Sequence, residues 1–265
     1  MKIRETAVAG QFYPASAEEI RMMFDRFNEM LEKSIRDPEL LKTKTRAVIV
    51  PHAGYVFSGF TANVAHRLLG NSGVKRVVVI GPSHRVYLAG TSVSEYDLYE
   101  TPLGDLPVDR PLADELIKRF GLGFVPDAHH EHSTEVQMPF IKTYLPDART
   151  VELVYGDENP SNLASVIEWL LADSDTGVVI STDLSHYYDL QKAKMLDSIC
   201  LNAVSKLDPA ELHRGCEACG KIGVEAMLIA AKNVGLEPLI LDYRTSADAS
   251  GDESQVVGYM SAAFI

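Results

Sequence analysis

The sequence is poor in cysteine, with three in 265 residues, and has a single tryptophan. Cys200, Cys216 and Cys219 are too few and too clustered for a disulfide framework, so a reducing compartment is expected. Cys216-Glu-Ala-Cys219 could be half of a zinc site, but no second cysteine pair accompanies it. Positive charge is also short: 25 Lys and Arg against 37 Asp and Glu give a net charge of −12, which excludes the basic face a nucleic-acid binder needs. No apolar run approaches the roughly 20 residues that span a bilayer, and the first ten residues lack the apolar region of a signal peptide. The expectation is one cytoplasmic domain over residues 1–265, with no membrane or nucleic-acid partner, since no Pro/Ser-rich linker divides the chain.

What is present is a repeated sentence. Residues 47–50 form a short, β-branched, unalternated run, as in a strand covered on both faces, and Pro51 stops it because it has no N–H for the ladder. His52 follows at the carboxyl end. The runs ending in Gly81-Pro-Ser-His84 and in Ser181-Thr-Asp-Leu-Ser-His186 say the same thing again. One strand-end histidine would be read as a hydrogen-bonding loop residue. Three would converge if their strands are parallel neighbours, because ligands of open α/β sheets bind outside the carboxyl ends of the strands.

The rest of the pattern is that of an α/β fold, a mostly parallel central sheet flanked by helices. Ser16 with Glu19 is a capping box for a helix to about residue 34, with Ile20, Met23, Phe24, Phe27 and Leu31 on its core face. Further helices are expected over 58–69, 111–120, 160–172, 189–206 and 221–233, with strands over 151–155, 177–181, 238–243 and 255–264. Residues 103–108 read as an irregular connection. The polar segment from Asp127 to Gln137 is unusually rich in ionisable groups. Within it His129 and His130 read as a solvated turn, whereas His132, Ser133 and Glu135 read as functional, Ser133 as a helix cap and Glu135 in the first turn.

Two imidazoles and one carboxylate suit non-haem iron(II), and three protein ligands with a water also suit zinc; the residues alone do not choose. A histidine outside the ligand set could move protons, and Asp183, three residues before His186, could orient that ring. Pro51-His-Ala-Gly-Tyr55, Gly81-Pro-Ser-His84, Glu131-His-Ser-Thr-Glu135, Ser181-Thr-Asp-Leu-Ser-His186 and Tyr243-Arg-Thr-Ser246, in this order, resemble the Memo-like family, whose prokaryotic members are called AmmeMemoRadiSam system protein B. The likeness runs from Val8 to Ala263.

The resemblance implies a fold like that of class III extradiol ring-cleaving dioxygenases, with one divalent metal at the strand ends. Iron is expected first, with zinc or copper as alternatives. Carried over, His52 and His84 match metal ligands and His186 an acid–base position, with His132 and Asp183 beside it. Animal members supply a cysteine ligand in the C-terminal loop, where this chain has Asp248-Ala249; Asp248 is therefore expected as the third ligand. Tyr13, Tyr55 and Glu135 are expected to bind the substrate. The implied function is a metal-dependent oxidoreductase. The alternative is a non-catalytic module that holds a small molecule or peptide in the same pocket.

Overall fold

The computed structural model describes residues 1–35 and 37–265. Strand β1 (Ile3–Arg4) is followed by helix α1 (Ala17–Ser34), where Ser16 Oγ accepts from the Glu19 N–H at 3.4 Å and Ile20, Phe24, Phe27 and Leu31 are buried. Next come β2 (Ala47–Val50), α2 (Tyr55–Gly70) and β3 (Arg76–Pro82). Helix α2 begins a turn before residue 58. The Ser58 hydroxyl donates back to the Ala53 carbonyl at 3.0 Å from inside the first turn.

Strands β4 (Thr91–Val93), β5 (Leu98–Tyr99) and β6 (Leu106–Pro107) are short, and β6 lies in the segment expected to be irregular. Helix α3 (Arg110–Phe120) is capped by Asp109 and ends at Gly121, whose φ of 67° suits glycine. After it come α4 (His132–Glu135), α5 (Met138–Tyr144), β7 (Arg149–Tyr155), α6 (Pro160–Leu171), β8 (Thr176–Ser181) and β9 (His186–Tyr188). The chain closes with α7 (Leu190–Ser205), α8 (Pro209–Leu212), α9 (Lys221–Val234), β10 (Pro238–Thr245), α10 (Ala247–Ser250) and β11 (Val256–Phe264).

The main sheet runs β10-β11-β2-β8-β3-β7-β4, with β9 added alongside β11. Its centre, β2-β8-β3-β7, is parallel; both flanks, β10-β11-β2 and β7-β4, are antiparallel. The parallel strands read as continuous apolar runs because both faces are covered. Val48, Val50, Val77, Val79 and Val179 join one core with α1, α2 and α5, while Ile49, Val78, Ile80, Val178 and Ile180 join the other with α6 and α9. Each such side chain contributes roughly 1.5–3 kcal/mol by leaving water. The topology brings β2, β8 and β3 side by side, so all three strand-end histidines leave the same edge. Among the described residues no helix is long and apolar enough to cross a membrane.

The cysteine expectation needs correction. Cys200 of α7 is disulfide-bonded to Cys216, with Cα atoms 5.0 Å apart. The short helix α8 turns the chain back over α7 and brings the pair together, 16 residues apart. Cys219 is free.

Candidate metal centre

Strand exits deliver two histidines to the carboxyl edge and a helix start delivers a third. His52 follows β2 and His84 follows β3, while His132 opens α4, which packs on the end of β3. Gly81 makes that packing close: a Cβ there would lie 2.6 Å from Ser133 Oγ. Ring centroids are 5.2 Å apart for His52 and His84, 5.4 Å for His52 and His132, and 4.7 Å for His84 and His132. One ligand atom from each of the three lies within 4.8 Å of the others.

The hydrogen bonds decide which nitrogen each ring can offer. Ser181 Oγ, at the end of β8, donates to the Ser133 carbonyl at 2.5 Å. Its hydrogen is thereby committed, so at 2.9 Å it accepts from His52 Nδ1. A carboxylate can only accept, and Glu131 Oε1 accepts from both His84 Nδ1 at 3.2 Å and His132 Nδ1 at 2.7 Å. All three rings are thus Nδ1–H tautomers with Nε2 unprotonated, and at His52 that nitrogen lies 3.3 Å from the Cys219 thiol sulfur. A carboxylate behind a ligating imidazole also fixes its orientation and raises its basicity. Burial opposes charge on Glu131, but hydrogen bonds from His132 and His84 hold it well below the usual carboxylate range.

His52 is pushed well below its ordinary value by burial, and then by His84 and His132 nearby, which keeps it neutral at physiological pH. The side chains grade from 2% exposed at His52 through 17% at His132 to 30% at His84, so the cluster opens to solvent over His84. Asp183 Oδ1 accepts the His52 N–H at 2.7 Å, and Oδ2 lies 4.0 Å from His52 Nε2. Burial pushes this carboxyl up, against the opposing N–H groups of His52 and Ala53. Its role is therefore to hold the His52 loop, in contact with a different histidine from the one expected. His186, in β9, stands outside the three-ring group but close enough for its charge to bear on His52 and Asp183.

Several expected site residues do other work. Asp248, expected as the third ligand, lies outside the three-histidine group: its carboxylate accepts from the Thr245 N–H at 2.8 Å and Oγ1 at 3.3 Å, the ordinary use of Asp in a polar turn, and the third residue grouped with His52 and His84 is His132. Glu135 is not free for substrate. It is buried in an ion pair with Arg4 and accepts from the Ala7 and Val8 N–H groups and the Tyr13 hydroxyl. Tyr13 is thereby committed to Glu135, and the Tyr55 hydroxyl donates to the Val136 carbonyl at 2.6 Å. These residues pin the N-terminal segment under α4. Ser133 does not cap α4; Glu131 does, accepting from the His132 and Ser133 N–H groups. His129 is not solvated either, being fully buried with Nδ1 2.7 Å from Glu152, whose charge it favours against burial.

Two residues escaped the sequence reading. Glu131 sits in a run of histidines, and glutamate is not among the residues that ordinarily mark a helix start, so nothing local singled it out. Cys219 Sγ lies 3.3 Å from His52 Nε2, with its thiol pushed up to about 12 by burial and the Asp183 carboxylate. The cysteine doublet was its only trace.

The Memo-like protein family matches residues 4–263. Proteins described as MEMO1 family proteins are similar over nearly the whole length: one from Aquifex aeolicus is 33% identical with all of both chains covered, one from Methanosarcina mazei 34% with 98% of each, and one from Sulfolobus acidocaldarius 34% with 99% of each. On the ordered motifs, the shared length and the family match together, this chain belongs to the Memo-like family.

Proposed function

We propose that this protein is a metal-dependent oxidoreductase holding one divalent cation between His52, His84 and His132. One observation carries the reading: three imidazoles, each with Nδ1 already committed, bring their ligand atoms within 4.8 Å of one another. Neutral imidazole suits iron, zinc and copper. The resemblance to ring-cleaving dioxygenases favours iron and redox chemistry. When bound, the cation would supply Lewis acidity and, as iron or copper, a route for electrons.

The chain's own part is orientation and proton handling. Glu131 locks two rings and Ser181 the third, so the donor set is organised before a cation arrives. A small-molecule ligand enters over His84, the most exposed of the three. His186 and Asp183 flank His52 and hold or pass protons beside it, as groups outside the donor set can.

The test starts from untagged protein reconstituted separately with iron(II), zinc and copper and assayed by metal analysis and circular dichroism. The His52→Ala/His84→Ala double variant should keep its fold and lose stoichiometric metal. Oxygen uptake across a panel of phenolic and other reduced small molecules should then appear only with the loaded wild type, and His186→Gln should keep metal while losing turnover. Stoichiometric metal in the double variant would move the site elsewhere. A metal-free protein of full stability that retains a peptide at the cluster would favour a binding module.

A further inference from the structure

Gln137 lies at the junction of α4 and α5, and its side chain is fully buried. A buried amide is costly unless its donors and its oxygen are all engaged. Gln137 engages them all. Nε2 donates to the Pro51 carbonyl at 2.9 Å and to Ser181 Oγ at 3.1 Å, while Oε1 accepts from His66 Nε2 at 2.9 Å. The Pro51 carbonyl can only accept, so it fixes which end of the amide faces it and leaves the oxygen for His66.

Both donor contacts converge on His52. Pro51 is the residue before it, and Ser181 Oγ is the partner of its Nδ1. That oxygen gives its one hydrogen to the Ser133 carbonyl and accepts one from Gln137 and one from His52, so its bonding capacity is filled. Ser133 and Gln137 come from the segment that carries His132, and the same segment supplies Glu131, which orients His84 and His132. The place of His52 relative to His132 is therefore set by residues 131–137 as well as by the sheet. His66 of α2, itself buried, braces the amide through its oxygen.

We propose that Gln137 is a positioning residue of the metal centre, fixing where His52 stands by holding both the carbonyl before it and the hydroxyl that its Nδ1 meets. The inference rests on the reading of that cluster as a metal site. Gln137 acts on the cation only through His52. Glutamate has the same shape but no donor when ionised and one at most when protonated, and methionine has none, so neither can hold Pro51 and Ser181 at once.

Zinc affinity, measured by competition with a coloured chelator, tests this with Gln137→Glu and Gln137→Met, each alone and each combined with Ser181→Ala. Either Gln137 variant alone should lower affinity about 10- to 100-fold, the range for groups that orient a ligand. On the Ser181→Ala background, where the hydroxyl link is already gone, the same substitution should lower it by a smaller factor, because the two residues act on one ring. With cobalt(II) as a coloured stand-in, the visible bands of the saturated Gln137 variants should differ from those of wild type. Ile20→Val, a loss of core packing in α1, should keep both affinity and bands, which separates positioning from stability. Gln137→Met conserves volume and Gln137→Glu conserves shape, so failure of one to fold leaves the reading to the other. Wild-type affinity and bands in a folded Gln137 variant overturn the proposal, as do losses that simply multiply with that of Ser181→Ala. Failure of wild type to bind zinc or cobalt(II) overturns the metal reading and this inference with it.

Discussion

Glu131 does more for the cluster than its position in a polar run suggests, since one carboxylate oxygen orients two of the three imidazoles and the other accepts the His84 N–H at 2.6 Å. Glu131→Gln preserves shape but removes the charge, and zinc affinity measured by competition with a coloured chelator should fall about 10- to 100-fold. Unchanged affinity would mean that the rings hold their positions without it. His66 gives the clearest pH signature. Burial lowers its pKa to about 4 from the ordinary 6.5; it stacks on Phe140 at 4.9 Å and donates to Gln137 Oε1 at 2.9 Å. The folded state refuses a proton that the unfolded chain binds, so this contribution is intact above about pH 6.5 and is lost as pH falls toward 4, by up to about 3 kcal/mol. In denaturant titrations at a series of pH values, His66→Gln should flatten the wild type's decline over that window. Parallel curves for the two proteins would rule this out.

At the level of elements, the meeting of α4 with the end of β3 sets the distance between His132 and His84. A methyl group at Gly81 would meet Ser133 Oγ at 2.6 Å and Thr134 Cγ2 at 2.9 Å, so Gly81→Ala should push α4 outward. We expect a stability loss of about 1–3 kcal/mol with a fall in metal affinity. Gly123→Ala, where an added Cβ meets nothing within 4 Å, should change affinity little. If Gly81→Ala loses stability alone, the α4 contact does not govern the centre. The long elements were legible in the sequence, as the run over 47–50 and the capping box at Ser16 show, because burial on both faces and a local cap leave marks within a few residues. Strand β9 was not. Three residues containing a bulge carry no readable alternation.

For the whole molecule, the disulfide makes a long-range contribution no local pattern announced. Closing a loop of this size, with partners 16 residues apart, restricts the unfolded chain by about 3 kcal/mol. Spread over a chain of 265 residues, this corresponds to a fall of about 5 °C in thermal midpoint. Both a strong dithiol reductant and the Cys200→Ser/Cys216→Ser variant should produce it, and the reductant should have no further effect on the variant. A midpoint that does not move in either case would show that the pairing adds no stability.

The sequence by itself determined which runs become buried strands, where they stop and that a histidine follows three of them. Those properties depend on residue type and near neighbours: Pro51 ends β2 wherever that strand lies. Tertiary structure decided that β8 lies between β2 and β3, that His132 joins His52 and His84, that Glu135 holds Arg4, and that Cys200 finds Cys216. Each choice joins residues far apart in the chain, such as His52 and Ser181, separated by 129 positions. The entropy of closing a loop changes only slowly with its length, so the chain nearby carries little record of which distant partner will be met; packing of the complete sheet selects it.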